Sequence, residues 1–289
     1  MSKMKLSLIQ NSCSADPSLN LDKAVQYAEK AAKEGGQVIC LQELCNTLYF
    51  CREMDPKFFQ LAQTIPGLLT DALSEVSKKY GVVILAPLFE KEAPGIYYNS
   101  LAVIDTDGSV SGVYRKMHIP DDPGFYEKYY FTPGDGGYKV FNTEFGKIGT
   151  LICWDQWFPE AARITAMMGA DLLVYPTAIA TLPEEGEEDK REFHDAWRTI
   201  QRSHAIANGC FVASINRVGN EGGSDFWGGS FIAGPFGQIL AEADDSETII
   251  SAEIDLTAIE TQRQTWPFFR DRRIESYNQI LKRFFPQRD

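Results

Sequence analysis

The run Gly149-Thr-Leu-Ile-Cys153-Trp-Asp-Gln-Trp-Phe-Pro-Glu160 constrains the fold more than any other stretch. A short apolar segment rich in β-formers ends at a cysteine, Pro159 follows, and residues 161–168 have the composition of a helix. Proline suits a first helical turn, where its missing N–H is not needed. Strand passing directly into helix predicts layered α/β packing. It also places Cys153 on a tight connection at a sheet edge, beneath a helix N-terminus. That is the geometry of a nucleophile elbow, and a helix N-terminus favours a thiolate. From this stretch alone two readings of Cys153 stand level: an activated nucleophile, or a buried small hydrophobe, the common fate of a free cysteine.

The rest of the chain supplies the layers. Residues 5–10 predict an edge or first strand, and residues 21–33 carry apolar side chains at helical spacing, closed by Gly35-Gly36. Residues 38–41 form a short apolar strand with Gln42-Glu43 at its C-terminal end. A helix over 70–80 stops at Gly81, and strands follow at 82–87, 100–105 and 110–115, the last two joined by Thr106-Asp107-Gly108-Ser109. Residues 117–137 make a long aperiodic loop, and such loops in compact domains are usually functional. Strands at 138–142 and 147–152 lead into the elbow; 172–175 is another, followed by an acidic loop at 177–188 and a helix over 190–208 capped by Gly209. Strands at 211–216, 228–233, 239–243 and 248–254 complete the pattern. Helices alternate with strands early and hairpins recur later, which predicts mixed sheets. With no linker, repeat or break in composition, the expectation is one domain over 1–289. Residues 265–289 form an aromatic, basic extension suited to contacts between subunits, carrying Trp266, Phe268, Phe269, Arg270, Arg272, Arg273, Phe284 and Phe285.

Charge and cysteine content narrow the chemistry. The formal net charge of −12 disfavours nucleic acid and anionic membranes as partners and is compatible with a small cation. No apolar run approaches the ~20 residues of a membrane helix, and the N-terminus has too short an apolar core for a signal peptide. A cytoplasmic location is therefore expected. The six cysteines, Cys13, Cys40, Cys45, Cys51, Cys153 and Cys210, include no Cys-x-x-Cys pair, which argues against a zinc ribbon or a dithiol site. In the cytosol they should be reduced.

Glu43, Lys116 and Cys153 share one position: each is a polar residue closing an apolar strand. Singly, a glutamate or lysine there is most often just solvated. Together they offer a base, a cation and a nucleophile, the parts needed for acyl transfer through a covalent intermediate. A Cys–His pairing is the rival, but His194 and His204 fall on one predicted helix and His118 lies in the long loop.

Four segments resemble, in order, the four signatures of the nitrilase (carbon–nitrogen hydrolase) superfamily. They are Leu41-Gln-Glu43-Leu, Tyr114-Arg-Lys116-Met-His, Glu127-Lys-Tyr-Tyr-Phe-Thr-Pro-Gly-Asp135 and Ile148-Gly-Thr-Leu-Ile-Cys153-Trp-Asp-Gln-Trp-Phe-Pro-Glu160. His118-Ile-Pro-Asp-Asp-Pro-Gly-Phe125 and Phe269-Arg-Asp-Arg-Arg273 look like its N-carbamoylputrescine amidase branch. The resemblance implies a four-layer α-β-β-α sandwich with mixed sheets, whose subunits pair across a helical face, a dimer being the building block of a homo-oligomer. It also implies a triad: Cys153 as nucleophile, Glu43 as general base and acid, and Lys116 facing the oxyanion. Glu127 would assist the lysine, and the Trp154 backbone N–H would be the second oxyanion donor. No metal or organic cofactor is implied.

The same resemblance implies that a carbamoyl group leaves a small cationic amine. The arginines that amino-acid carbamoylases carry after the catalytic cysteine are here Gln156 and Trp157, which cannot grip a carboxylate bidentately. For the far ammonium the candidates are Asp122, with Asp121 beside it, and Glu184 in the acidic run to Asp189. Tyr126 and Trp154 would lie along the methylenes, with Thr177 at the end of the strand after the elbow. The bland reading is that both acidic loops are merely solvated. Two alternatives are another amidase or carbamoylase of the superfamily acting on a neutral or carboxylate-bearing substrate, and a catalytically silent protein on the same fold.

Overall fold

The structure, a computed structural model, describes residues 3–284. The first five strands are β1 (Lys3–Gln10), β2 (Val38–Leu41), β3 (Val83–Ala93), β4 (Ile96–Ile104) and β5 (Val110–Arg115). Next come β6 (Lys139–Thr143), β7 (Gly146–Thr150), β8 (Leu172–Pro176), β9 (Ala180–Thr181) and β10 (Phe211–Ile215). The chain then adds β11 (Val218–Glu221), β12 (Ser224–Trp227), β13 (Phe231–Ala233), β14 (Ile239–Glu242) and β15 (Thr248–Asp255). The α-helices are α1 (Pro17–Lys33), α2 (Leu68–Tyr80), α3 (Pro159–Met167), α4 (Glu187–Asn208) and α5 (Thr257–Thr265).

Two six-stranded sheets result, in the orders β15-β1-β2-β3-β4-β5 and β14-β13-β10-β8-β7-β6, with a small third sheet β11-β12-β9. β1, β2 and β3 run parallel, as do β7, β8 and β10, while the remaining pairs are antiparallel. The sheets are mixed, as the sequence predicts.

Side chains on a strand alternate between its faces, and β2 shows what that does here. Val38 and Cys40 join the core between the two large sheets, with Leu6, Leu8, Leu172 and Val174. Ile39 and Leu41 point the other way, into a second core with Ala24, Ala28, Leu69 and Leu73 of α1 and α2. A strand buried on both faces reads as an unbroken apolar run, which is why four residues sufficed to reveal it. Ala161, Ala162, Trp197 and Ala205 of α3 and α4 close the far side of the second sheet. The result is an α-β-β-α sandwich.

Some details differ from expectation. β1 is not an edge strand, because β15 pairs along its whole length. The hairpin β3–β4 runs on past Pro87 through Glu90 to Ala93, since Glu90 is buried against Arg115 rather than solvated. α5 was not legible, because only Ile259 of its residues is buried and the apolar period is missing.

Candidate active site

The three strand-closing residues meet. β5 is antiparallel to β4, which is antiparallel to β3, so β5 runs the same way as β2 and both end at one rim. Glu43 follows β2 and Lys116 follows β5, while Cys153 follows β7 of the facing sheet. The Lys116 ammonium donates to Glu43 Oε1 at 2.9 Å and to Glu127 Oε2 at 2.7 Å. All four residues are buried, Lys116 to 1% exposure and both glutamates to 0%.

Each charge in this ring is held from more than one side. Asn99 Nδ2 donates to Glu43 Oε1 at 2.7 Å, and the Tyr49 hydroxyl donates to Glu127 Oε1 at 2.8 Å. Behind Glu43 the chain turns through Leu44, whose φ of 50° lies in the left-handed region that branched or bulky residues avoid. The buried Arg217 clamps that turn. Its Nη2 donates to the Glu43 and Leu44 carbonyls at 2.7 and 3.1 Å, and its Nη1 pairs with Glu221 at 2.8 Å. Glu221 in turn accepts the Tyr49 backbone N–H at 2.6 Å. One ion pair therefore supports both the Glu43 turn and Tyr49, the donor to Glu127.

The cysteine turn is fixed in the same manner. Cys153 has φ 43° and opens a 3₁₀ turn, Cys153–Trp157, just before α3, with Pro159 in that helix's first turn. Strain of this kind persists only when the surroundings over-determine it, and Asp155 does so. Its Oδ2 accepts the Ile152 N–H at 3.0 Å and the Tyr114 hydroxyl at 2.7 Å, while Oδ1 accepts the His118 backbone N–H at 3.0 Å. His118 Nδ1 lies 2.7 Å from the same oxygen. Tyr114 and His118 flank Lys116, so Asp155 ties the cysteine turn to the lysine strand. The aperiodic loop packs tightly beside it: a Cβ on Gly134 would stand 2.2 Å from the Arg115 carbonyl oxygen, which explains a glycine there.

Electrostatics revises one expectation. The Cys153 thiol is pushed well up, first by burial and then by the charge of Glu43, with Lys116 acting the other way. The elbow thus carries a protonated thiol at rest, not the helix-stabilised thiolate its sequence position suggests, because α3 begins only at Pro159. Burial also raises Glu127, to about 7, against the pull of Lys116. Burial disfavours the Lys116 charge, but the neighbouring acidic groups, Glu127 and Glu43 among them, outweigh it and hold the ammonium well above its ordinary value.

A cavity of about 490 Å³ opens on Cys153 and Glu127. Its wall includes Asp122, Phe125, Trp154, Gln156, Trp157, Glu184, Glu185 and Trp227. Of the catalytic candidates Cys153 and Glu127 line this wall while Glu43 and Lys116 do not; of the residues assigned to the substrate, Asp122, Trp154 and Glu184 reach it. Tyr126 does not; its neighbour Phe125 takes that place. Thr177 stands behind the wall, fully buried, its hydroxyl donating to Gln156 Oε1 at 3.1 Å. Most of the acidic run has a structural role. Glu187, Glu188 and Asp189 fill the first turn of α4, where carboxylates are favoured by the helix dipole, and Glu185 accepts the Leu182 N–H at 2.7 Å. Tyr49, Asn99, Arg217 and Glu221 gave no sequence signal. Among the described residues no group of three or more His, Cys, Asp or Glu side chains is placed to hold a metal ion, and no helix is long and apolar enough to cross a membrane.

Comparison with known proteins agrees with this geometry. The family model described as carbon-nitrogen hydrolase matches residues 5–264. An N-carbamoylputrescine amidase of Arabidopsis thaliana is 46% identical over 96% of this chain and 94% of its own length. A citrullinase of Francisella tularensis is 41% identical over 98% of this chain and 100% of its own. The crystal structure of a carbon-nitrogen hydrolase from Helicobacter pylori G27 superposes with a TM-score of 0.95 at 46% identity, covering 98% of this chain and 100% of that one.

Proposed function

This chain belongs to the carbon–nitrogen hydrolase family, and from that premise we propose that it hydrolyses N-carbamoylputrescine to putrescine, carbon dioxide and ammonia. The observation that carries the substrate is the cavity wall. Its ionisable side chains are Asp122, Glu127, Cys153, Glu184 and Glu185, and no arginine, lysine or histidine lines it among the described residues. Such a wall suits an ammonium at the far end of the substrate and offers no partner to a carboxylate.

In this reading Glu43 takes the proton of the Cys153 thiol as sulfur attacks the carbamoyl carbon. Negative charge develops on the carbonyl oxygen, facing the Lys116 ammonium and the Trp154 backbone N–H. Such preorganised donors are usually the largest source of rate enhancement. The tetrahedral species collapses, Glu43 gives its proton to the departing amine, and a carbamoyl group remains on Cys153. Water, deprotonated by Glu43, then releases carbamic acid, and the thiol recovers the proton. Carbamic acid breaks down to carbon dioxide and ammonia. Glu127 holds Lys116 between two carboxylates, which keeps it an ammonium throughout.

A second reading, a ureide bearing a carboxylate, is favoured by the similarity to a citrullinase. Specificity constants for N-carbamoylputrescine, N-carbamoylbutylamine, citrulline and N-carbamoyl-β-alanine decide between them. The cation reading expects the first to be preferred over the second by well over tenfold. Parity between those two defeats it, and preference for citrulline installs the second reading.

The chain is further proposed to act in the cytoplasm as one domain and as a homo-oligomer built from dimers. Trp266, Ile280, Leu281 and Phe284 are exposed at 50, 62, 86 and 76%, and Ile164 and Met167 of α3 and Met168 just after it are exposed too. Apolar exposure on that scale marks an interaction face; Phe285, also assigned to the tail, lies outside the described residues. A monomeric mass in sedimentation would dispose of the assembly.

A further inference from the structure

Gln156 is fully buried yet lines the catalytic cavity. Its amide has only one orientation that satisfies its neighbours. Trp197 Nε1 meets Gln156 Oε1 at 2.9 Å and the Thr177 hydroxyl meets it at 3.1 Å. An indole N–H can only donate, so the atom it touches is the oxygen. The Nε2 group is thereby turned away from Trp197, and it finds no partner among the described residues. Gln156 and Cys153 are three residues apart in one 3₁₀ turn, a spacing that brings side chains into line. A buried donor left unpaired is costly, so this one calls for an acceptor during the reaction.

The substrate does not provide it. A carbamoylated amine with a distal ammonium has one strong acceptor, the carbonyl oxygen, and that is directed at Lys116 and the Trp154 N–H. The indole N–H groups of Trp157 and Trp227 on the same wall are also unpartnered, but they too can only donate. The acceptor that can take a proton is Glu43 Oε2, buried and unpartnered on a carboxylate whose charge acts on the thiol, whereas Oε1 is taken by Asn99 and Lys116. A buried donor and a buried acceptor without partners match a single water, which can accept from one and donate to the other.

We propose that Gln156 is a water-positioning residue for the second half of the reaction. Its Nε2–H donates to a lone pair of the attacking water while that water donates to Glu43 Oε2, leaving the other lone pair for the carbamoyl carbon. The water loses one proton to Glu43, its oxygen bonds to the carbon, and the S–C bond breaks. Sulfur then regains the proton, and carbamic acid leaves. Trp197 and Thr177 are positioning residues that act through the amide. The inference rests on the reading of Cys153 as the carbamoyl carrier.

The test separates the two half-reactions in the full chain, using Gln156→Met, which keeps length and removes the donor, and N-carbamoylputrescine as probe. Rapid-quench measurement of amine release should show a first phase within a few-fold of the unaltered chain. The steady-state phase should fall about tenfold, the scale of a lost hydrogen bond, and intact mass should show a carbamoyl adduct accumulating on Cys153. Trp197→Phe, which keeps Gln156 and unlocks its amide, should slow the same second phase less, and it carries the test if the methionine variant does not fold. A slower first phase with no adduct, or a change confined to KM, overturns the water role and makes Gln156 a substrate contact or a packing residue. Unchanged kinetics overturns it too. Absence of any cysteine adduct, even in Glu43→Gln, removes the covalent reading itself, a failure distinguishable from the others.

Discussion

The floor and the mouth of the cavity are both acidic, but they hold their charges differently. At the floor, Glu127 lines the wall and Glu43 lies beyond it across Lys116. Both are fully buried, and each accepts from the Lys116 ammonium and from a second donor, Asn99 for Glu43 and Tyr49 for Glu127. At the mouth, Asp122 and Glu184 are exposed on loops. Removing one partner from a desolvated network leaves an uncompensated charge, whereas an exposed pair is weakened by water and salt. In the proposed function the chemistry is thus encoded where errors are expensive, and selectivity where they are cheap.

The harshest way to break this contrast is to remove the charge at its centre. Lys116→Met should lower kcat by a factor on the order of 10² or more, the scale for losing an oxyanion partner. It should also lower the melting temperature, because two buried carboxylates then face each other without a cation. One of them should bind a proton in response. A variant with unchanged kcat and raised KM would make Lys116 a binding residue and erase the distinction between floor and mouth.

A milder change sharpens the contrast by sign. Glu43 raises the Cys153 thiol and Lys116 lowers it. Glu43→Gln should therefore bring the pH midpoint of thiolate absorbance down relative to the unaltered chain, even as turnover collapses for want of a base. Lys116→Met should move the midpoint up. Shifts of equal sign in the two variants, or none, would mean that the cysteine does not sense the ring, and the protonated resting thiol would have to be given up.

The same division governs what could be read in the sequence. Glu43, Lys116 and Cys153 were legible because each ends an apolar strand, and a strand end is visible from local pattern alone. Their supports were not. Tyr49 comes from an aperiodic stretch, Asn99 lies within β4, and Arg217 owes its burial to Glu221 and to the Glu43 and Leu44 carbonyls, which are distant in sequence. A buried ion pair has no periodicity. The strands β11 and β12 were missed for that reason, since Glu221 and Ser224 face inward where alternation predicts apolar residues. The left-handed backbone at Cys153 and Leu44 was equally hidden, because neither is the glycine that usually announces it.

The smallest expected effects lie at the mouth, and they test the contrast from its weak side. Asp122→Asn or Glu184→Gln alone should lower kcat/KM for N-carbamoylputrescine only several-fold, in the range of exposed ion pairs. The loss should appear mainly in KM and shrink with added salt, since charges in contact with water are screened over about 10 Å at 0.1 M ionic strength. The uncharged N-carbamoylbutylamine should be handled equally by both variants and the unaltered chain. Its indifference separates a lost charge from a disturbed wall, because Phe125 and Trp154 would serve either substrate alike. The double variant should give roughly the product of the single losses if the ammonium samples both carboxylates independently. A loss of a hundredfold or more from one substitution, insensitive to salt, would mean that the loop carrying it closes over the substrate and dries the pair. That residue would then belong with the floor.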